Sequence, residues 1–139
     1  MAHDAPPITY RRDADASDAE LNALFAQSWP GHKDRSFRPV VQASFTWVCA
    51  YSGEALVGFV NIAWDGQSHA FVLDPTVAPA FRRQGIGRQL VLHGIAAAKS
   101  AGLAWIHVDF EPALRGFYRQ CGFQTSEAGV IQLASFTPA

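Results

Sequence analysis

Short apolar runs separated by turn residues occupy the middle of this chain, and apolar stripes with a helical period lie on either side of them. In SDAELNALFAQS (residues 17–28), Leu21, Leu24 and Phe25 share one stripe, and Ser17 and Glu20 have capping-box spacing. The pattern predicts a helix there, stopped by Trp29-Pro30-Gly31. Residues 32–42 are polar and mixed, and predict a loop with a short helix. FTWVCAY, SGE and ALVGFVNIAW read as strand, turn and strand; DGQS is a second turn and HAFVLDPTV a third strand, giving an antiparallel meander. Pro75 lacks the N–H that a ladder needs, so a bulge or an opening of the sheet is expected there. Ile86, Leu90, Val91, Ile95 and Ala98 predict a helix over residues 86–101 with Gly102 as its cap. LAWIHVD then reads as a short buried strand and PALRGFYRQC as a second helix, with Pro112 in its first turn and Gly122-Phe123 at its end. GVIQLAS (129–135) predicts a last strand. This order predicts an α+β fold with a mixed sheet.

A length of 139 residues predicts a single domain over 1–139. With 49% hydrophobic and 17% charged residues the chain is globular in character. Its net charge of −1 supplies no global field for nucleic acid, so an anion would need a local site. No run of 18 apolar residues predicts a membrane helix, and the polar, acidic start has no apolar signal core. Cys49 and Cys121 have no metal-binding spacing, so no metal is expected; they could pair only if the fold brought them together, and as buried reduced thiols they point to a cytoplasmic protein.

The stretch VAPAFRRQGIGRQLV (77–91) places two glycines at a helix start, where glycine costs roughly 1 kcal/mol relative to alanine. A helix start presents unpaired N–H groups and a partial positive charge. Removing side chains there lets a phosphate touch the backbone. Gly85 and Gly87 do so; Arg82, Arg83 and Arg88 add positive charge, and no Asp or Glu lies between Asp74 and Asp109. A tight loop with solvated arginines is the bland alternative. A Walker loop would need Gly-x4-Gly-Lys-Ser/Thr, which is absent. A Rossmann fingerprint would need a third glycine where Leu90 stands; Asp109 imitates its ribose-binding acid, but no second half follows.

These residues carry a family resemblance. VAPAFRRQGIGRQLV resembles motif A of the GCN5-related N-acetyltransferases (GNAT), Arg/Gln-x-x-Gly-x-Gly/Ala, through Arg82, Gly85 and Gly87. RGFYRQCGF resembles the family's motif B, ending Tyr-x-x-x-Gly-Phe, through Tyr118, Gly122 and Phe123. The likeness runs from about residue 17 to the C-terminus. It implies a GNAT-like acyl-CoA N-acyltransferase fold: an antiparallel meander, then splayed parallel strands with flanking helices. It implies acetyl-CoA as acyl donor, with its pyrophosphate on the amides of Arg83, Gln84, Gly85, Ile86, Gly87 and Arg88 and its pantetheine along Thr76-Val77. Tyr118 becomes the expected general acid for the leaving thiolate; the bland alternative is a half-buried helix tyrosine. The chain departs from the family at Glu111, where many members carry Asn seven residues before this tyrosine.

The resemblance also exposes a gap. A lysine-like amine is neutral in only about one molecule in two thousand at pH 7, so aminolysis wants a proton path. Many relatives place Glu or His four or six residues before the residue matched by Val77; here those positions hold Leu73 and Phe71. His69, Asp74, Glu111, His107, a water chain or a weakly basic acceptor remain open. Trp29, Phe37 and Trp64 are candidates to line an acceptor pocket, and Arg35 and Arg38 to hold an acidic acceptor. Cys121, beside motif B, reads as packing. The expected activity is direct transfer of acetyl to a primary amine, small-molecule or peptide. A non-catalytic acyl-CoA-binding module, favoured by the missing carboxylate, and a transferase for a longer acyl-CoA are the other readings. Family analogy adds a homodimer.

Overall fold

A computed structural model describes residues 6–139, whose contacts divide into two compact units, one ending at Val108 and the other spanning Asp109–Ala139.

The first unit is a five-stranded sheet with helices. Its strands are β1 (Ile8–Arg12), β2 (Thr46–Ser52), β3 (Ala55–Trp64), β4 (His69–Val77) and β5 (Trp105–His107), and they lie in sequence order across the sheet. The first four pair antiparallel; β4 and β5 pair parallel, so the sheet is mixed as expected. β1 was not expected from the pattern: it is five residues long, and three of those residues are exposed. Helix α1 (Asp18–Ser28) carries the predicted capping box, with Ser17 and Glu20 each bonding the other's backbone N–H at 3.1 Å. The short helix within residues 32–42 is α2 (Arg38–Ala43).

Helix α3 (Ile86–Ser100) crosses the sheet and buries Ile86, Leu90, Val91, Gly94, Ala97 and Ala98 against β2, β3 and β4, while Ile95 is only half-buried. Burial of side chains such as Ile86, Leu90 and Val91 contributes about 1.5–3 kcal/mol each. Two glycines set how closely α3 approaches. A Cβ at Gly94 would lie 2.6 Å from Cδ1 of Ile62, and one at Gly58 would lie 3.0 Å from Cδ1 of Leu90 and 3.1 Å from Cβ of Ala50. The helix ends in a Schellman motif: Gly102, at φ 80°, donates to the Lys99 carbonyl at 3.0 Å and Leu103 to that of Ala98 at 3.1 Å.

The opposite face of the sheet carries α1. Phe25 meets Phe37 and Phe59 with ring centroids 4.9 and 5.8 Å apart. The β3–β4 turn is tied by Asp65, whose carboxylate accepts N–H bonds from Gln67, Ser68 and His69 at 2.8, 2.8 and 3.1 Å. These bonds hold its carboxyl down at about 2.

The predicted irregularity at Pro75 is present. Phe59 pairs with Thr76 and Asn61 with Leu73, so Asp74 and Pro75 together face one residue, Val60. Asp74 takes φ 53°. β5 corrects an expectation: it was read as a buried strand over residues 103–109, but spans three residues, with Trp105 65% exposed. It lies at one edge of the sheet, paired among the described residues with β4 alone.

The second unit holds a 3-10 turn at Pro112–Leu114 and helix α4 (Arg115–Gln120), together matching the expected helix. The expected strand at 129–135 does not form. Leu133–Ser135 is a 3-10 turn, held by Ser135 N–H on the Gln132 carbonyl at 3.1 Å and by the Ser135 hydroxyl on Gln132 Oε1 at 2.7 Å. Val130, Ile131 and Leu133 are 77%, 62% and 81% exposed. A β-prone sequence needs a neighbouring ladder, and this backbone pairs with none.

Because a Cβ at position 94 meets Ile62 below ordinary contact distance, Gly94→Ala should destabilise the protein by about 1–3 kcal/mol. Ile62→Val, which removes the nearest carbon, should recover part of that loss. Urea denaturation of the two single variants and the double variant measures the coupling; additive losses would contradict the close approach.

Candidate functional site

The loop before α3 is built to expose its backbone. Pro79–Phe81 forms a 3-10 turn, after which Arg83 and Gly85 both take left-handed conformations, φ 63° and 80°. Gly85 is the N-cap, and a Cβ there would meet nothing within 4 Å. Glycine takes this φ freely, whereas a side chain in this conformation costs roughly 1–2 kcal/mol. The 3.1 Å bond from Gln89 N–H to the Gly85 carbonyl opens the helix ladder, so the amides of Ile86, Gly87 and Arg88 precede it. Arg82, Arg83, Gln84, Gly85 and Arg88 are exposed, and the Ile86 side chain is buried as an anchor. With no carboxylate between Asp74 and Asp109, this donor set suits a diphosphate.

β4 supplies a second backbone surface. β5 pairs with it only from His69 to Phe71, yet β4 continues to Val77. Beyond Phe71 that edge has no strand beside it, and an extended ligand can use its polar groups. The bulge at Asp74-Pro75 keeps Leu73 and Thr76 on one face although they are three residues apart: Leu73 pairs with Asn61, and Thr76 with Phe59, which packs on Phe25 of α1. Thr76 is buried; its hydroxyl donates to the Asp74 carbonyl at 2.8 Å and accepts Trp29 Nε1–H at 2.9 Å. Its side chain is thus committed. The Val77 carbonyl accepts from Ser28 Oγ and Arg82 Nε, each at 3.4 Å. Arg82 therefore braces the end of β4.

The contacts of Trp29 and Ser28 with this edge join α1 to β4. Trp29 was expected near a pocket and is 45% exposed beside Thr76, but the part played by Ser28 had no sequence signal. Phe37 belongs to the core, and Trp64 packs on Phe45 at 5.1 Å. Arg35 lies over the Phe37 ring at 4.5 Å; Arg38 lines a cleft of about 480 Å³ together with Asp13, Asp15 and Asp18. Gly58 and Gly94 also escaped the sequence reading, although a glycine inside a helical pattern usually has a packing reason.

In the second unit, motif B is a helix cap. Tyr118, Gly122 and Phe123 occupy the C3, C′ and C″ positions of a Schellman motif. Gly122, at φ 104°, donates to the Arg119 carbonyl at 2.9 Å, and Phe123 to that of Tyr118 at 3.1 Å. The hydrophobic contact that accompanies such caps is Phe123 against Tyr118, with ring centroids 5.8 Å apart. Phe110 stacks on the other side of Tyr118 at 4.9 Å. Burial, then the neighbouring Cys121 and Asp109, push the phenol up to about 12, so it keeps its proton at neutral pH. Cys121 and Cys49 are both buried, and burial lifts the Cys49 thiol to about 12, far from a thiolate nucleophile.

Of the proton-acceptor candidates, the fold joins two. His69 on β4 and His107 on β5 share a 2.8 Å hydrogen bond between Nδ1 and Nε2. Asp74 is exposed in the bulge; Glu111 is exposed at the start of the Pro112–Leu114 turn. Phe71 and Leu73 are each 39% exposed.

The family model for acetyltransferases (GNAT) matches residues 15–123. The chain belongs to the GNAT family. It is 30% identical over 121 residues to serotonin N-acetyltransferase 2, chloroplastic, of Oryza sativa subsp. japonica, an alignment covering 84% of this chain and 60% of that one. It thus spans about three fifths of the curated relatives it matches, 60% and 58% of two of them. A GNAT-family acetyltransferase structure from Streptococcus pneumoniae TIGR4 superposes with a TM-score of 0.71 at 25% identity, over 91% of this chain and 99% of that one. The aminoglycoside N-acetyltransferase AAC(6')-Iy in complex with CoA has the same fold, with a TM-score of 0.75 at 19% identity over 94% and 97% of the two chains. Among the described residues, no group of three or more His, Cys, Asp or Glu could hold a metal ion, and no helix is long and apolar enough to cross a membrane.

The raised phenol of Tyr118 has a stability consequence. Its contribution is complete below the ordinary tyrosine value of 10.0 and is lost as pH rises through about 12. Urea midpoints taken at pH 9 and pH 11.5 should therefore fall less for Tyr118→Phe than for the parent protein. An equal fall would remove the burial of this phenol in the folded state. Tyr51, also lifted to about 12, sets the background decline in both proteins.

Proposed function

We propose that this protein is an N-acetyltransferase that moves an acetyl group from acetyl-CoA to a primary amine by direct attack in a ternary complex. The observation that carries this reading is the exposed amide cradle at residues 83–88, combined with the open edge of β4 from Val72 to Val77. Both are backbone surfaces, one for a diphosphate and one for an extended amide-containing arm, as in pantetheine. The CoA bound by the aminoglycoside N-acetyltransferase of the same fold supports that donor.

In this mechanism the amides of Arg83, Gln84, Gly85, Ile86, Gly87 and Arg88 hold the diphosphate, and Arg82 steadies the Val77 carbonyl. The main chain of Thr76 and Val77 orients the arm, and an N–H near Val77 polarises the thioester carbonyl. The amine attacks the carbonyl carbon. Tyr118, protonated at neutral pH, gives the departing sulfur its proton.

A second reading, an acyl-CoA-binding module without turnover, is favoured by the apolar residues Phe71 and Leu73 where a proton acceptor is wanted. Acyl-chain preference is compared with acetyl-, propionyl- and succinyl-CoA. We further propose that the protein works in a reducing compartment such as the cytoplasm, supported by its buried thiols, and that copies pair through an exposed sheet edge to form a homodimer. Light scattering tests the latter.

The deciding experiment mixes acetyl-CoA with an amine panel and reads released CoA thiol. The panel includes serotonin and an aminoglycoside, the acceptors in the names of two similar proteins, with small amines, amino acids and peptides. Release with at least one amine supports transfer; CoA binding with no release supports the module. Gly87→Val should abolish CoA binding in calorimetry, because its side chain enters the diphosphate cradle. Tyr118→Phe should lower turnover about 10²-fold with the CoA dissociation constant preserved; undiminished turnover would take Tyr118 out of the mechanism.

A further inference from the structure

We propose that the cross-strand pair His69–His107 is the proton acceptor of the transfer reaction, with His107 taking the amine proton and His69 passing it to solvent. The proposal rests on the transferase reading above and fills the gap left by Leu73 and Phe71.

Strand alternation places the pair. Along β4, Ala70 and Val72 are buried, whereas His69, Phe71 and Leu73 lie on the other, more open face. The parallel register sets Trp105 opposite His69 and His107 opposite Phe71. The two imidazoles are joined by the 2.8 Å Nδ1–Nε2 bond and stack at 5.1 Å, and Phe71 stacks flat on His107 at 4.9 Å and 17°. One proton occupies the shared bond, so one ring nitrogen is its acceptor and each ring keeps an outer nitrogen. A proton arriving at the outer nitrogen of His107 moves the shared proton across, and another leaves from the outer nitrogen of His69.

Location gives this pair its task. The Phe71–His107 pairing is the last between β4 and β5, so His107 stands at the fork where the open edge of β4 begins. An acyl arm laid along that edge from the cradle, past Val77, has its reactive end toward the fork. The charged group beside the pair is Asp65, on the β3–β4 turn, which accepts the His69 N–H at 3.1 Å and interacts electrostatically with its ring. Phe71, stacked on His107, and Trp105, opposite His69 in the register, carry no charge.

The step balances. The amine nitrogen forms a bond to the thioester carbon, and the C–S bond breaks with its electron pair on sulfur. An ammonium nitrogen loses two protons, one before attack and one after it, each taken by His107 and passed through His69 to solvent; the sulfur gains one from Tyr118, which solvent reprotonates, and becomes the CoA thiol. Starting from an ammonium acceptor, the net products are the amide, the thiol and one released proton.

The test uses the full chain with acetyl-CoA and an amine from the panel. His107→Gln should lower kcat about 10²-fold and abolish the acidic limb of the kcat/KM profile between pH 5 and 9, with CoA affinity unchanged. His69→Gln, which breaks the relay but keeps the base, should displace that limb and cost less. A merely structural pair would lower activity uniformly and leave the profile's shape intact. Imidazole 15N NMR adds a readout independent of turnover: acetyl-CoA should move the His107 signals, and His69→Gln should alter the His107 titration. A parental pH profile in His107→Gln, or His107 signals untouched by acetyl-CoA, overturns the proposal alone. Parent protein that binds acetyl-CoA yet releases no CoA with any amine overturns the transferase reading, and this proposal with it.

Discussion

The close approach of α3 to the sheet is the contact on which the first unit depends. Gly58 and Gly94 leave no side chain between helix and strands at the points where a Cβ would collide with Leu90, Ala50 or Ile62. The helix therefore lies flat over β2, β3 and β4, buried along Ile86, Leu90, Val91 and Ala98. Its first turn is thereby fixed relative to the end of β4. That turn holds the amides proposed to take a diphosphate, and such a cradle is useful only if it stands at a set distance from the strand edge proposed to receive the rest of the ligand.

The second requirement is that β4 be a strand and also be left open. The bulge at Asp74-Pro75 and the short pairing with β5 achieve this together. The bulge returns Thr76 to the face of α1, where Trp29 and Ser28 bond to Thr76 and Val77. The break after Phe71 frees the outer edge. Each device costs backbone hydrogen bonds, and each creates polar backbone accessible to a ligand. Sheets show such irregularity where a strand edge is used and not merely buried.

The second unit has its own economy. A signature of one tyrosine and a Gly-Phe pair is, in physical terms, a Schellman cap with its usual hydrophobic contact. Gly122 ends the helix, Phe123 closes on Tyr118, and Phe110 covers the other side. Burial among these rings raises the phenol above the ordinary tyrosine value. Helix termination and the chemistry of the group are consequences of the same few contacts.

Short-range rules made much of this legible in the residues alone. The capping box at Ser17–Glu20, the helix-ending glycines at 102 and 122, the two hairpin turns and the bulge at Pro75 each follow from backbone chemistry within a few positions. The proposed amide cradle is likewise local, one loop and one helix start. Other features needed distant parts of the chain to meet. β1 forms on the edge of β2, the stretch 129–135 has β-prone residues but no ladder to join, and Trp105 is exposed because β5 has a neighbour on one side only. The hydrogen bond between His69 and His107 spans 38 positions and depends on the parallel register of two strands. A pattern along the chain can say that each histidine lies on a strand; only the pairing of those strands decides that the two rings touch.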